Sequence, residues 1–262
     1  MSKTKVICFA NNKGGSGKST TCVNVGYEMA LTGKKVLLID GDMQMNLTLS
    51  FFDDSMTFSF VESGKTLYEG LKAEKDLAPY IVHTGYPNLD LIPSSSEMSS
   101  IEFELFPRWQ REFILRKCLS HIVASGTYDF ILMDAPPTLG CWVMNMLCAS
   151  DELVIPVEAS PWGLFGVAKM NDFVRQVQTI APQLHVMGIA VTKADERKKY
   201  LREMLDTLHE SDMPVFETII RIDSTIEWSQ DNSKPVGAYK RNSRSANEYA
   251  NLAKEILNHV SR

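Results

Sequence analysis

Ten consecutive residues, Asn11-Asn12-Lys13-Gly14-Gly15-Ser16-Gly17-Lys18-Ser19-Thr20, bring glycines, two lysines and hydroxyls together at the spacing of a phosphate-cradling loop. An apolar stretch, Val6 to Ala10, leads into the run, and a helical pattern from Thr20 to Leu31 leads away from it. Strand, glycine loop and helix form the context in which such a loop works. Gly14, Gly15 and Gly17 let the backbone fold tightly and turn N–H groups inward, with Ser16 and Thr20 lining the same cradle. The following helix adds partial positive charge at its N-terminus. Lys18 is placed to reach the β- and γ-phosphates of a nucleotide, and the Ser19 hydroxyl to sit on Mg²⁺. Asn12 stands where the strict pattern has its first glycine, and asparagine tolerates left-handed backbone better than other residues with a side chain.

Two further segments end in carboxylates. Val36-Leu37-Leu38-Ile39 runs into Asp40-Gly41-Asp42. Acids just past a buried strand are costly unless they meet a cation or solvent, and Mg²⁺ with its waters meets that need. The other reading of Asp40 and Asp42 is strand-end capping and turn chemistry. Phe130-Ile131-Leu132-Met133 runs into Asp134-Ala135-Pro136-Pro137. An acid closing a buried strand beside a phosphate loop has the Walker B arrangement, which makes Asp134 a Mg²⁺ ligand, through water.

These groups need a frame. Short apolar runs occur at Val6–Ala10, Val36–Ile39, Leu89–Ile92, Phe130–Met133, Leu153–Val157, Val186–Val191 and Val215–Ile220. Continuous runs of this length suit strands buried on both faces of a parallel sheet. Helical patterns lie between them, near residues 20–32, 97–124, 138–148, 163–180, 196–210 and 244–260. The alternation predicts an α/β fold: a doubly wound, mostly parallel twisted sheet with helices on both faces. Ligands on such sheets bind beyond the carboxyl ends of the strands, where the loop and the acids fall. Ser245 and Glu248 fit a capping box for the last helix. Residues 50–66 are apolar without clear period and read as a loop or lid-like insertion.

The 262 residues suit one large domain spanning 1–262, and only ten residues precede Asn11, too few for a helix-turn-helix domain. Hydrophobic residues make up 44% and charged residues 23%, an ordinary globular balance. No apolar run approaches membrane-spanning length, the N-terminus lacks the pattern of a signal peptide, and the five cysteines form no C-x-x-C pair. These features predict a cytoplasmic protein with reduced thiols. The net charge of −5 argues against a protein that coats nucleic acid with its whole surface. Local clusters remain, +3 across residues 193–202 and +4 across residues 234–244, readable as solvated faces or as a nucleic-acid contact.

Lys13-Gly14-Gly15-Ser16-Gly17-Lys18-Ser19-Thr20 resembles the deviant Walker A motif of the ParA/MinD family of dimeric ATPases. Asp40-Gly41-Asp42-Met43-Gln44-Met45-Asn46 is similar to that family's D-x-D-P-Q-x-N stretch, with Met43 and Met45 replacing proline and glycine. Asp134, Pro136, Pro137, Thr138, Leu139 and Gly140 match its D-x-P-P-[ST]-L-G switch segment. Val191-Thr192-Lys193-Ala194-Asp195 matches a strand and loop near the nucleotide base, and Lys234-Pro235-Val236 with Ala250, Ala253, Lys254 and Glu255 matches the closing segment. The likeness covers essentially the whole chain and is nearest to small ParA-type partition ATPases.

The resemblance implies ATP and Mg²⁺ as cofactors, and a homodimer formed on ATP binding in which Lys13 reaches the partner's nucleotide. Asp42 would orient the attacking water, with Asp40 a support near the metal waters and Thr192 near the nucleotide. It also implies non-specific DNA binding on the nucleoid and an adaptor or centromere-binding protein that stimulates slow hydrolysis. The alternative to Lys13 acting across a dimer is a solvated loop cation. One departure falls at Ile219-Ile220-Arg221-Ile222-Asp223-Ser224, where relatives carry I-P-R-x-V-R: Ser224 replaces the second arginine, which helps bind DNA. Rival readings on the same motifs are a ParA-like positioner of another cargo, a MinD-like membrane-cycling ATPase, a metabolic enzyme on this scaffold and a non-enzymatic nucleotide-binding module. The C-terminal Ile256 to Arg262 reads as core-facing and not as a membrane anchor.

Overall fold

A computed structural model describes residues 4–260. In chain order its elements are β1 (Lys5–Phe9), α1 (Lys18–Leu31), β2 (Val36–Asp40), α2 (Asn46–Leu49), α3 (Asp54–Glu62), α4 (Leu67–Lys72), β3 (Val82–His83), β4 (Leu89–Ile92), α5 (Ile101–Leu105), α6 (Ile114–Ser125), β5 (Phe130–Asp134), α7 (Cys141–Cys148), β6 (Glu152–Glu158), α8 (Gly163–Gln178), β7 (His185–Thr192), α9 (Lys199–His209), α10 (Ser224–Asp231), α11 (Val236–Tyr239) and α12 (Arg244–Val260). The strands form one sheet in the order β3-β4-β2-β5-β1-β6-β7. Every pairing is parallel except β3 with β4.

The central strands β2 and β5 are buried along their whole length, as their unbroken apolar runs require. Alternate residues feed two cores. Leu37, Ile39, Ile131 and Met133 face α6, α7 and α8 through Leu119, Met146 and Met170. Ile7, Phe9, Leu38 and Leu132 face α1 and α12 through Val25, Met29, Leu252 and Ile256. The predicted doubly wound fold is therefore the observed one.

Four local readings change. Residues 215–220 do not form a strand: isolated bridges join Val215 to Ile189 of β7 and Arg221 to Ala194 just beyond it. Between them the N–H groups of Glu217 and Thr218 donate to the Glu255 carboxylate of α12, at 2.9 and 2.8 Å, so the ladder is interrupted by a side chain. The helix predicted over 97–124 breaks between α5 and α6. Pro107 has no N–H to donate, and Gln110 takes a left-handed φ of 51°. Residues 50–66 contain α3, capped by Asp53, whose carboxylate accepts from Met56 N at 2.8 Å. Its weak periodicity reflects its place on the surface, where Thr57 is its one buried residue. Ser243, not Ser245, caps α12, its hydroxyl accepting from Ala246 N at 3.1 Å. Glu248 instead turns to Arg221. Residues 1–3, 261 and 262, which include the ends of the N-terminal and anchor readings, lie outside the described residues.

Gly188 of β7 leaves the space that the Phe216 ring fills; a Cβ there would come within 2.9 Å of the ring. Phe216→Ala should cost about 3–5 kcal/mol, a fall in Tm of roughly 10 °C by calorimetry. An unchanged Tm would show that the 215–220 segment is not held by this contact.

Candidate functional site

The chain leaves β1 at Phe9 and returns as α1 at Lys18, and two of the intervening glycines are left-handed: Gly15 at φ 74° and Gly17 at φ 84°. Gly17 has a second constraint. A Cβ on it would lie 3.3 Å from Thr192 Oγ1, which donates to Ser16 O at 2.9 Å. Thr192 thus ties the end of β7 to the loop. Asn11 ties the end of β6, its amide donating to Pro156 O at 2.7 Å while its Oδ1 accepts from Lys13 N at 3.1 Å. Gly14 has open space around it, and Thr20 Oγ1 accepts from Gln230 of α10 at 3.0 Å. The buried Ser16 hydroxyl and Asn12 Oδ1 have no hydrogen-bond partner among the described residues.

Lys18 is buried beneath this loop, with Nζ donating to Lys13 O at 3.2 Å. Burial lowers its pKa, and the nearby Asp134 and Asp42 pull it back up. Asp40 and Asp134 are register partners at the ends of β2 and β5, both fully buried. Asp40 is well served. It accepts from Thr48 N at 2.8 Å, Thr48 Oγ1 at 2.6 Å and Asp42 N at 3.2 Å. Burial still raises its pKa to about 6 against those bonds. Asp42, nearly buried, accepts from Gln44 N at 3.0 Å.

Asp134 differs: neither carboxylate oxygen has a hydrogen-bond partner that meets ordinary geometry. Burial first, and the Asp40 charge second, push its pKa well above the carboxylate range; Ser19 and Lys18 lie near enough to oppose the rise. Three acids against one ammonium leave negative charge in excess. Among the described residues no group of three or more His, Cys, Asp or Glu is set to hold a metal by itself. One orphaned carboxylate beside a serine hydroxyl is instead the donor set of a magnesium that keeps waters and phosphate oxygens in its shell. The residues present fit that group.

Lys13 is brought to the same loop but not to the acids. Its Nζ donates to Glu158 at the end of β6 and to Ser160 Oγ at 2.7 Å, and the lysine lowers the Glu158 pKa. Glu158 and Ser160 belong to no motif. The signal that finds Glu158 is an acid closing a buried strand, the same signal that marks Asp134.

The two basic clusters are partly self-neutralised. Arg197 grips Asp195 with two bonds of 2.8 Å, Lys199 pairs with Glu203, and Arg241 with Glu28. Arg244 and Arg221 both meet Glu248, and Arg221 also meets Glu196. Ser224, at the position of the relatives' arginine, opens α10, whose N-cap is Asp223.

A family profile described as an AAA domain matches residues 4–186. The sporulation initiation inhibitor protein Soj of Bacillus subtilis is 33% identical over 264 residues, spanning 96% of this chain and 98% of Soj. The chromosome partitioning protein ParA of Caulobacter vibrioides is 30% identical over 256 residues, spanning 97% and 94%. The chain belongs to the ParA family of partition ATPases. Among solved structures, the ParA-family fold seen here matches a cobyrinic acid a,c-diamide synthase of Mycobacterium smegmatis with bound ATP analogue and magnesium. That match has a TM-score of 0.85 at 28% identity over 98% of this chain and 95% of the synthase.

Two stability measurements test the charge excess in this ParA-family site without nucleotide. Asp134→Asn removes a buried carboxyl that must either carry a poorly served charge or take up a proton on folding, and should raise Tm by about 2–6 °C, on the order of 1–2 kcal/mol, while abolishing any stabilisation by magnesium with nucleotide. A lower Tm would mean that Asp134 is satisfied in the folded chain. Asp40 holds its proton up to about pH 6 when folded, against roughly 4 when unfolded. The folded chain therefore binds more protons between those values, and Asp40's contribution to stability declines as pH rises through them. Urea midpoints should show Asp40→Asn gaining on the wild type by on the order of 2–3 kcal/mol between pH 4 and pH 6.5. A constant difference between the two proteins would contradict the raised pKa.

Proposed function

We propose that this chain is an ATP-dependent DNA-partition ATPase for plasmid or chromosome segregation, one domain that ATP closes into a face-to-face dimer. The carrying observation is Asp134, fully buried beside a glycine loop with no hydrogen bond of ordinary geometry, and with Lys18 and Ser19 at the start of α1 close by. The names and magnesium–nucleotide contents of its relatives support the same reading.

The loop N–H groups from Gly14 to Thr20 and the start of α1 receive the phosphates. Lys18 neutralises the β- and γ-phosphates and Thr192 braces the loop from behind. Ser19 and Asp134 would hold magnesium, which when bound would supply charge neutralisation at the phosphates. Asp42, with Gln44 N holding one of its oxygens, orients the attacking water, and Asp40 steadies the segment through Thr48. Lys13 leaves Glu158 and Ser160 to meet the partner copy's triphosphate, a charge-assisted contact of the strong kind. The two copies then present their exposed basic residues, Lys198 and Lys240 among them, to DNA phosphates without reading sequence. Hydrolysis is slow until an adaptor protein stimulates it, since Arg221 and Arg241 are each engaged by acids of the chain itself. Among the described residues no helix is long and apolar enough to cross a membrane. The working place is the cytoplasm, on the nucleoid when ATP is bound.

Lys18→Ala should weaken ATP binding at least 100-fold by titration calorimetry, and wild-type affinity would remove Lys18 from its role. Asp42→Ala should bind ATP and dimerise yet lose about 10²-fold or more in turnover; undiminished turnover would end the water-orienting assignment. In sedimentation with a slowly hydrolysed analogue, Lys13→Ala should bind nucleotide and stay monomeric. For DNA, Lys198→Glu with Lys199→Glu should lower the salt slope of binding by about one for each DNA phosphate those lysines neutralise. An unchanged slope would leave that cluster out of the DNA-binding surface.

A further inference from the structure

From Ser160 into the first turn of α8 the chain carries two large aromatic side chains outward. Trp162 is 73% exposed and Phe165 60% exposed, although α8 is otherwise amphipathic, with Gly163, Val167, Met170, Val174 and Val177 turned into the core. The first turn of α8 is fitted closely to its surroundings. A Cβ on Gly163 would lie 2.5 Å from Glu158 O, and one on Gly166 would lie 3.1 Å from Asn11 Oδ1 and 3.3 Å from Asn12 Oδ1. Trp162 and Phe165 are thus held in a fixed relation to the phosphate loop and to the Lys13–Glu158–Ser160 contact. Lys169 lies over the Phe165 ring at 4.5 Å, so the stripe is aromatic and cationic together.

Resting on the reading that Lys13 acts across a dimer, we infer that Trp162 and Phe165 are the apolar anchor by which a second copy of this chain seats on the nucleotide face. The occupant follows from complementarity and continuity. In the proposed nucleotide-bound state each copy presents the charge of a triphosphate over its buried acids, and beside it a basic, aromatic flank of Lys13, Lys169, Trp162 and Phe165. A two-fold axis sets the flank of one copy against the triphosphate of the other, and the contact is repeated by symmetry. A surface that comes close enough to receive the Lys13 amine must also cover the side chains next to it. Charge alone does not hold such a face closed at cellular salt; buried tryptophan and phenylalanine do, because aromatic anchors carry most of the energy of compact interfaces.

The test uses the full chain with Mg²⁺ and a slowly hydrolysed ATP analogue. Trp162→Ser combined with Phe165→Ser should raise the dimer dissociation constant at least 100-fold in sedimentation equilibrium, while the monomer's affinity for a fluorescent ATP analogue stays within about two-fold. Trp162→Phe should restore most of the association. Hydroxyl-radical footprinting of the unaltered protein reads the same site without substitution: oxidation of Trp162 should fall several-fold when the analogue is added. A double variant that dimerises like the wild type, or a wild-type dimer with Trp162 still fully oxidised, overturns the anchor and leaves the proposed dimer standing. A wild type that binds the analogue and remains monomeric overturns both.

Discussion

Asp40, Asp42 and Asp134 close the ends of β2 and β5 where the sheet excludes water, and Lys18 is the ammonium set against them. A carboxylate left without partners in such a place costs free energy that folding must offset, and burial answers by favouring its neutral form. The chain treats its acids unequally. Asp40 receives three donors and Asp42 receives Gln44 N, whereas Asp134 receives none that the chain can hold in good geometry. A fold that satisfies one acid fully and its register partner poorly leaves at Asp134 a demand that a cation would meet. The unsatisfied Ser16 hydroxyl and Asn12 oxygen fall in the same loop, as expected where local rules are broken for function.

Parallel pairing makes that arrangement possible. β1, β2 and β5 are neighbours running the same way, so Phe9, Asp40 and Asp134 arrive side by side and the loops beyond them share one edge. Those loops are then cross-tied. Trp142 Nε1 donates to Gly41 O at 2.9 Å, Ser94 Oγ to Asp42 O at 2.8 Å, and Ser94 N to Thr48 Oγ1 at 3.1 Å. Gly41 has no room for a side chain, since a Cβ would lie 2.8 Å from both Asp134 O and the Met146 terminus. The segment after β2 and the helix after β5 therefore share contacts around the acids. The scaffold is general: it also serves a synthase. Chemistry specific to this chain resides in what the edge displays.

Much of this is legible in the residues alone. Strands buried on both faces announce themselves as unbroken apolar runs, which is why β1, β2, β4, β5, β6 and β7 can be read, and glycines between a strand and a helix mark the loop. The missing parts depend on contacts distant in sequence. β3 has two residues and no pattern. Glu255 captures two N–H groups that local propensity assigns to a ladder. Glu158 matters through Lys13, 145 positions earlier. Charge clusters mislead for the same reason, since Arg241 counts as basic in sequence and is answered by Glu28, 213 positions away.

Burial also orders the proposed events. Lys18 and Asp134 are committed to the interior, so their mutual charge is settled only when phosphate and cation arrive, and that step comes first. Lys13 and Glu158 keep 26% and 31% of their side chains in solvent, and a pair so exposed is worth about 1 kcal/mol or less. Such a pair holds a lysine in place while nothing better is offered, and it yields to a triphosphate, whose several charges outbid one carboxylate. In the proposed dimer the partner copy would present that triphosphate only once its own site is filled. Closure of that dimer would therefore be conditional on two filled sites, a condition that follows from which lysine is buried and which is not.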